Sequence, residues 1–330
     1  MISEKFRILL FRLFGRERGL RLWLLLTRFH VLPPLGRIAP MVVYSLDSRC
    51  FNCGLADRLR GMVGGYLLAK AHGVGYQIDH RQPFLLQEWL APGSYDWTPT
   101  PGQWTHSLFR ARPVVAIDSR DDAFLDRMDY SRQLFLYSNV GMIESISRRY
   151  GTTGDFAEAF NELFRPSDAL LAAAHPHLQC LGGEGGYVSV SFRFIDLLGD
   201  FCEGVRPVLP AEEQERLIGS CRRIILGLHR RFGESRKVLV TADSMKFLSS
   251  VVDLPFVYVV EGKTGHSGRV AGDGVTLKTF LDFYLISQAS HVFLGLSGQM
   301  YRSHFAQTAA MTQGKPFEEL SEWNLTPRWR

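Results

Sequence analysis

An α/β protein with two doubly wound domains is predicted by three features of the sequence. Short apolar runs of strand length alternate with longer segments of helical period from Met41 onward. The first run, Met41-Val42-Val43-Tyr44, reaches its helix through one tight glycine turn at Asn52-Cys53-Gly54. A proline near the midpoint, Pro166, separates two series of such units. Strands and helices that alternate with short turns make parallel sheets covered on both faces. A chain of 330 residues, 46% hydrophobic and 22% charged, has the length for two ordinary domains and the composition for full cores. The expected division is residues 1–40, 41–165 and 166–330.

Residues 1–40 precede the first strand and carry the charge. They hold eight Lys or Arg (Lys5, Arg7, Arg12, Arg16, Arg18, Arg21, Arg28, Arg37) against Glu4 and Glu17, a balance of +6 in a chain of net +5. A basic terminus on a neutral body is not the broad basic footprint of a nucleic-acid binder. Ile2, Phe6, Leu9 and Leu13 fall on one helical stripe and Lys5, Arg12 and Arg16 on another, followed by a second apolar cluster from Leu20 to Leu26. That pattern predicts amphipathic helices in an anionic membrane interface, with Trp23 at headgroup depth. The plain alternative is a pair of helices capping the first domain. Arginines interrupt the apolar run, which argues against a signal peptide, and no segment approaches the ~18 apolar residues of a membrane span. Five scattered cysteines point to a reducing compartment, and the Cys50/Cys53 pair has no second pair to complete a zinc site.

The first helix places Leu55, Leu59, Met62, Val63, Tyr66 and Leu67 at the three and four spacings of a buried face. Strands follow at 75–79, 113–118 and 133–137, interrupted by an aperiodic stretch, 91–112, rich in Pro, Gly, Trp and Thr. Loops of that length in a compact domain are functional or mobile. Phe156, Phe160, Leu163 and Phe164 give a helix ending at Arg165-Pro166. The second series begins with a helix from Ser167 and continues with strands at 187–193, 237–241, 256–260 and 291–295. Its helices are expected at 211–232, from Ser244, at 275–288 and from Met300 to Met311. No internal repeat is detectable.

Ligands of parallel α/β sheets sit beyond the carboxyl ends of the strands. The polar residues there are Arg193 with Asp196, Asp243 with Ser244, and Gly295 followed by Ser297 and Ser303. An arginine, an acid and a Gly/Ser turn heading a helix suit a nucleoside diphosphate: the guanidinium forks onto phosphate, the helix N-terminus takes further charge, and the carboxylate accepts from a ribose. Each residue also has a plain alternative: an Arg193–Asp196 surface pair, or capping by Asp243 or Ser297. At the head of the first helix Gly54, Asp57 and Arg58 form the corresponding turn, with a solvated helix face as the alternative. The dinucleotide fingerprint is absent, because no glycine triplet follows the first strand.

From Asn52 to Gly61 (Asn-x-Gly-Leu-Ala-Asp-Arg-Leu-Arg-Gly) the chain resembles the glycine loop of bacterial glycosyltransferases related to nodulation-factor, protein O- and core fucosyltransferases. The likeness continues through Leu163-Phe164-Arg165-Pro166-Ser167, Val190-Ser191-Phe192-Arg193, Val240-Thr241-Ala242-Asp243-Ser244, Phe280-Leu281-Asp282-Phe283-Tyr284 and Tyr301-Arg302-Ser303-His304-Phe305-Ala306, covering 41–312. Two positions depart: Phe194 stands where many relatives have a second arginine, and His304 where they have glycine. The resemblance implies two Rossmann-like domains facing a cleft (GT-B), an acceptor domain first and a nucleotide-sugar domain second. It implies inverting sugar transfer from a nucleoside diphosphate donor, GDP-fucose favoured, to an envelope polysaccharide or glycolipid. Catalytic roles then fall to Asp57 (base) and Arg193, and donor contacts to Gly54, Arg58, Arg193, Asp196, Asp243, Ser244, Ser297 and Ser303. His266 and His106 are lesser candidates for the base. No metal or cofactor is expected, because Arg193 and the helix after Gly295 neutralise the diphosphate and no Asp-x-Asp pair is present. The expected location is the inner face of the cytoplasmic membrane. A non-catalytic glycan-binding scaffold of the same fold is the alternative.

Overall fold

The computed structural model describes residues 4–34, 36, 38–46, 54–80, 82–117, 122–139, 142–151, 155–201, 203–233, 235–262 and 273–322. The Asn52-Cys53 turn, Cys50 and His266 lie outside the described residues. The chain divides into two compact units, Met1–Arg165 and Pro166–Arg330.

The first unit starts with α1 (Glu4–Phe14) and α2 (Arg16–Thr27), then runs β1 (Met41–Leu46), α3 (Leu55–Ala71), β2 (Gly75–His80), β3 (Leu90–Pro92), β4 (Ala111–Ala116), β5 (Gln133–Ser138), α4 (Ile143–Tyr150), α5 (Phe156–Leu163) and β6 (Phe164–Pro166). Its main sheet is parallel with order β2-β1-β5-β4, while β3 pairs with β6. β1 and β5 are buried at every residue, which is why Met41-Val42-Val43-Tyr44 and Leu134-Phe135-Leu136-Tyr137 read as apolar runs. The aperiodic stretch is pinned by glutamines of the sheet. Trp104 donates its indole N–H to Gln77, and Gln133 donates to the Gln103 carbonyl at 2.6 Å and accepts from the Thr105 N–H at 2.9 Å.

Trp23 is not where the sequence pattern predicts. It is only 7% exposed, with Leu20 and Leu24 fully buried beside it, and the Ile117 N–H donates to Glu17 at 2.9 Å. α2 thus covers the sheet as part of the first unit, because its apolar cluster is broad enough to need a protein surface. Among the described residues no helix is long and apolar enough to cross a membrane.

The second unit contains α6 (Asp168–Leu181), β7 (Val188–Phe192), α7 (Ala211–Phe232), β8 (Val238–Ala242), α8 (Met245–Ser249), β9 (Val257–Tyr258), α9 (Asp273–Gln288), β10 (His291–Gly295), α10 (Phe305–Thr312) and β11 (Phe317–Leu320). All five strands are parallel, in the order β11-β10-β7-β8-β9. The core beneath them is Val188, Val190, Phe192, Val238, Val240 and Phe293 of the sheet against Cys221, Ile224, Ile225 and Leu228 of α7. Three elements differ from expectation. β9 keeps two residues, the edge strand β11 was not anticipated, and α10 begins at Phe305 rather than near Met300.

Gly295 ends β10 directly opposite Phe192. A Cβ on Gly295 would stand 2.1 Å from Phe192 Cε1, and that ring is itself wedged against Phe247 at 4.9 Å between centroids. Gly295→Ala is therefore expected to destabilise the unit by ~1–3 kcal/mol through overpacking. Thermal or urea unfolding of the variant checks this, and an unchanged midpoint would contradict it.

Candidate functional site

In the second unit β7 continues through α7 toward β8, whereas β10 continues toward β11 on the other side. Strand order therefore reverses between β7 and β10, the position where open parallel sheets bind ligands beyond their carboxyl ends. Arg193 is the residue leaving β7. Its carbonyl accepts from the Tyr301 N–H at 3.1 Å, which ties the segment after β10 to the exit of β7. That bond, with Gly298 in the left-handed region at φ 53°, holds the segment out of helix, so no helix N-terminus follows Gly295 directly. The part of the phosphate site assigned to such a terminus is thereby corrected.

The Arg193 guanidinium is half-buried. It pairs with Asp243 at 3.3 Å and with Glu203, and lies over the Phe201 ring at 4.8 Å. Asp196, the surface partner the sequence allowed, is engaged elsewhere. Asp243 leaves β8, next to β7, and is buried. Its two oxygens accept from the consecutive N–H groups of Phe194 and Ile195, both at 2.8 Å. Ile195 has φ 54°, a conformation costly for a β-branched residue, and the two bonds hold it there. Burial pushes the Asp243 carboxyl up, against the Arg193 charge and the two N–H donors. Asp243 is thus the keystone of the β7 exit: it aims Arg193 and fixes the backbone after it. Behind it, the Ser191 and Thr241 hydroxyls pair across β7 and β8 at 2.7 Å.

Two other sequence candidates prove to be scaffolding. Asp196 is buried and accepts from four successive N–H groups, Glu203 at 2.6 Å, Gly204 at 2.9 Å, Val205 at 2.7 Å and Arg206 at 2.9 Å. Burial alone would raise its carboxyl, but these donors carry it well below the usual carboxylate range. Its oxygens close the loop that delivers Glu203 to Arg193. Ser244 is fully buried, caps α8 by accepting from the Phe247 N–H at 3.1 Å, and donates to Asp200 at 3.0 Å. Ser297 remains half-buried near Glu322, and Ser303 accepts from the Phe305 N–H at 3.2 Å, one residue before His304. His304, where relatives have glycine, is exposed with ordinary backbone angles.

In the first unit Gly54 is the N-cap of α3, and the half-buried Asp57 lies in its first turn. A negative group is favoured there by the helix dipole. Arg58 is neither a solvated residue nor a presented donor contact: it is 0% exposed. It donates to His80 Nε2 at 3.3 Å and lies 5.5 Å from the Phe84 ring centre. Burial first and the Arg58 charge second push His80 down to about 3, so the ring is neutral and accepts this bond. His106, the lesser base candidate, packs on Phe29 and Phe135, and burial first, then Arg28 and His30, push it down to about 4. It is a partly buried histidine packed against aromatic rings of the first unit. Glu203, Phe201 and Tyr301 were not among the sequence candidates, since loop residues that reach Arg193 through tertiary contacts leave no periodic signal.

No family model matches the chain, and no curated protein is similar to it in sequence. Solved structures are similar. The fucosyltransferase NodZ from Bradyrhizobium matches with a TM-score of 0.50 at 12% identity, over 83% of this chain and 92% of that one. The same protein soaked with GDP-fucose matches with a TM-score of 0.50 at 13% identity, over the same shares. Arabidopsis thaliana FUT1 in complex with GDP matches with a TM-score of 0.55 at 11% identity, over 95% of this chain and 77% of that one. The chain shares the fucosyltransferase fold. Its two parallel α/β units account for that likeness, and at this identity the likeness concerns the fold alone.

Proposed function

We propose that the chain is a glycosyltransferase that moves a sugar, fucose from GDP-fucose foremost, to a hydroxyl of an envelope polysaccharide or glycolipid at the inner face of the cytoplasmic membrane. The observation that carries this is Arg193, held by Asp243 at the switch point of the second unit. The shared fold supports it, because NodZ was soaked with GDP-fucose and FUT1 holds GDP in the matching structures. In the proposed step the bond from the sugar's anomeric carbon to the diphosphate oxygen breaks, and its electron pair leaves with the diphosphate. The acceptor oxygen attacks the opposite face with inversion, and its proton passes to a base. Arg193 stabilises the growing charge on the diphosphate, most strongly in the transition state. Asp57 is the proposed base, from its place at the head of α3.

Turnover of a panel of GDP- and UDP-sugars with and without an acceptor glycan, read as free nucleotide, tests the reading. Release from GDP-fucose that rises with acceptor is expected. Binding of GDP-fucose with no release under any acceptor would instead identify a donor-binding scaffold.

Two predictions belong to this reading. Activity should persist in EDTA and gain nothing from manganese, because a fixed guanidinium supplies the charge a divalent ion would otherwise bring. Loss in EDTA restored by manganese would overturn this. Glu203 occupies Arg193 with a carboxylate where a phosphate oxygen would bind, so the two compete. Glu203→Gln should tighten GDP binding severalfold in titration calorimetry, whereas weaker binding would show that the carboxylate itself contacts the nucleotide.

A further inference from the structure

α1 is fastened to the body on one side and bare on the other. Gly19 of α2 permits the contact, since a Cβ there would stand 2.8 Å from the Leu10 backbone, and Leu10 itself is buried. On the outer side Leu9 is 48% exposed, Leu13 65% and Phe14 50%. Leu9 and Leu13 are one turn apart, so they form a ridge, with the exposed Lys5 and Arg12 beside it on α1, while the exposed Arg16 opens α2 after Gly15. Arg18 and Arg21 on α2 are exposed as well. Glu17 faces the other way, accepting from the Ile117 N–H of the body. The outer side of the helix pair therefore carries a leucine ridge bordered by cations, in a segment whose balance is +6 while the rest of the chain is near neutral.

We propose that this side of α1 docks on a bilayer surface bearing anionic lipid headgroups. Leu9, Leu13 and Phe14 enter the acyl boundary, and Lys5, Arg12 and Arg16 meet the headgroups. A lipid surface fits better than a protein groove because the ridge is a convex helix edge, flanked on α1 by Lys5 and Arg12 and followed by further exposed cations at the start of α2. Interfacial helices bind through both components, buried apolar area and attraction to anionic lipid. Of the two apolar stretches in the sequence pattern, the structure buries Trp23 and leaves Leu9 and Leu13 of α1 exposed. This surface is independent of the transferase reading, since none of its residues belongs to the Arg193 site.

The test is vesicle flotation of the full chain with neutral phosphatidylcholine vesicles and with vesicles containing about one third phosphatidylglycerol. The wild type is expected to float with the anionic vesicles and not with the neutral ones. Leu9→Ser with Leu13→Ser, and separately Arg12→Glu with Arg16→Glu, should each lower the bound fraction at least tenfold, with unchanged circular dichroism. Val252→Ser, an exposed apolar position of the second unit, should float like the wild type. Equal recovery with both vesicle types, or flotation indifferent to the α1 variants, would overturn the proposal. A chain that ignores vesicles but sediments as a dimer dissolved by Leu13→Ser would also overturn it, by assigning the ridge to a second copy.

Discussion

Arg193→Ala is expected to lower turnover of GDP-fucose about a hundredfold at saturating donor, ~3 kcal/mol of transition-state stabilisation, as for loss of one preorganised donor. Arg193→Lys keeps the charge and loses the planar two-point contact, so its turnover should fall between those of the wild type and the alanine variant. A free arginine could be removed without consequence for folding, but this one is a partner of the buried Asp243. Its loss removes the Arg193 charge that lowers that carboxyl. Burial already raises the Asp243 carboxyl, and removing Arg193 raises it further. A carboxyl whose pKa is higher folded than unfolded favours the folded state in acid, and that advantage fades as pH rises through the raised value. The stability deficit of Arg193→Ala should therefore be smallest below the ordinary Asp range and grow as pH rises. Melting curves across pH, beside kcat for the folded variant, separate the two effects. A folded alanine variant with near-normal kcat would send the search for the phosphate contact elsewhere.

The sequence carried the fold wherever local patterning and burial agree. β5 and β10 carry apolar runs, Leu134-Phe135-Leu136-Tyr137 and Val292-Phe293-Leu294, β7 alternates Val and Ser before Phe192, and α7 spans Ala211–Phe232 as its period indicates, between Pro210 and Gly233. It failed where one tertiary bond overrides propensity. The residues from Met300 to His304 lead directly into α10, but the Tyr301 N–H is spent on Arg193. β11 is an edge strand with Glu318 and Glu319 at its centre, and it pairs on one side only. The candidate site was legible as a set of strand ends and illegible as a set of contacts. Arg193 and Asp243 stand out because adjacent parallel strands deliver them to one edge. Asp196 looked equivalent from its spacing, and only the folded loop shows its oxygens filled by four N–H groups. Arg58 sits among Asp57 and Arg60 like a solvated residue, yet its partner His80 lies at the end of another strand, 22 residues away.

Asp243→Ala is expected to lose more stability than any other single change at this edge. It removes the acceptor of two buried N–H groups and the buried counter-charge of Arg193 at once. Arg193 is partly exposed and keeps Glu203, so no unpaired buried charge is left and the cost comes chiefly from the two N–H groups, an unmade buried hydrogen bond costing ~1–3 kcal/mol. These costs overlap, because one carboxylate serves both donors, so the expected total is ~2–4 kcal/mol. Ile195 would also lose the bond that holds it at φ 54° and should relax toward ordinary backbone, carrying the loop after β7 with it. Arg193 would then be aimed only by Glu203 and Phe201, both on that same loop. Turnover should therefore fall together with the melting temperature. Asp243→Asn separates the two: its carbonyl can still accept one N–H, but its amide cannot accept the other and brings no charge. The asparagine variant should melt between the wild type and the alanine variant while its kcat stays close to that of Asp243→Ala, since aiming the guanidinium needs the charge. An Asp243→Ala protein that melts like the wild type would remove Asp243 as the keystone. Full kcat in a folded Asp243→Asn protein would show that Arg193 is positioned without it.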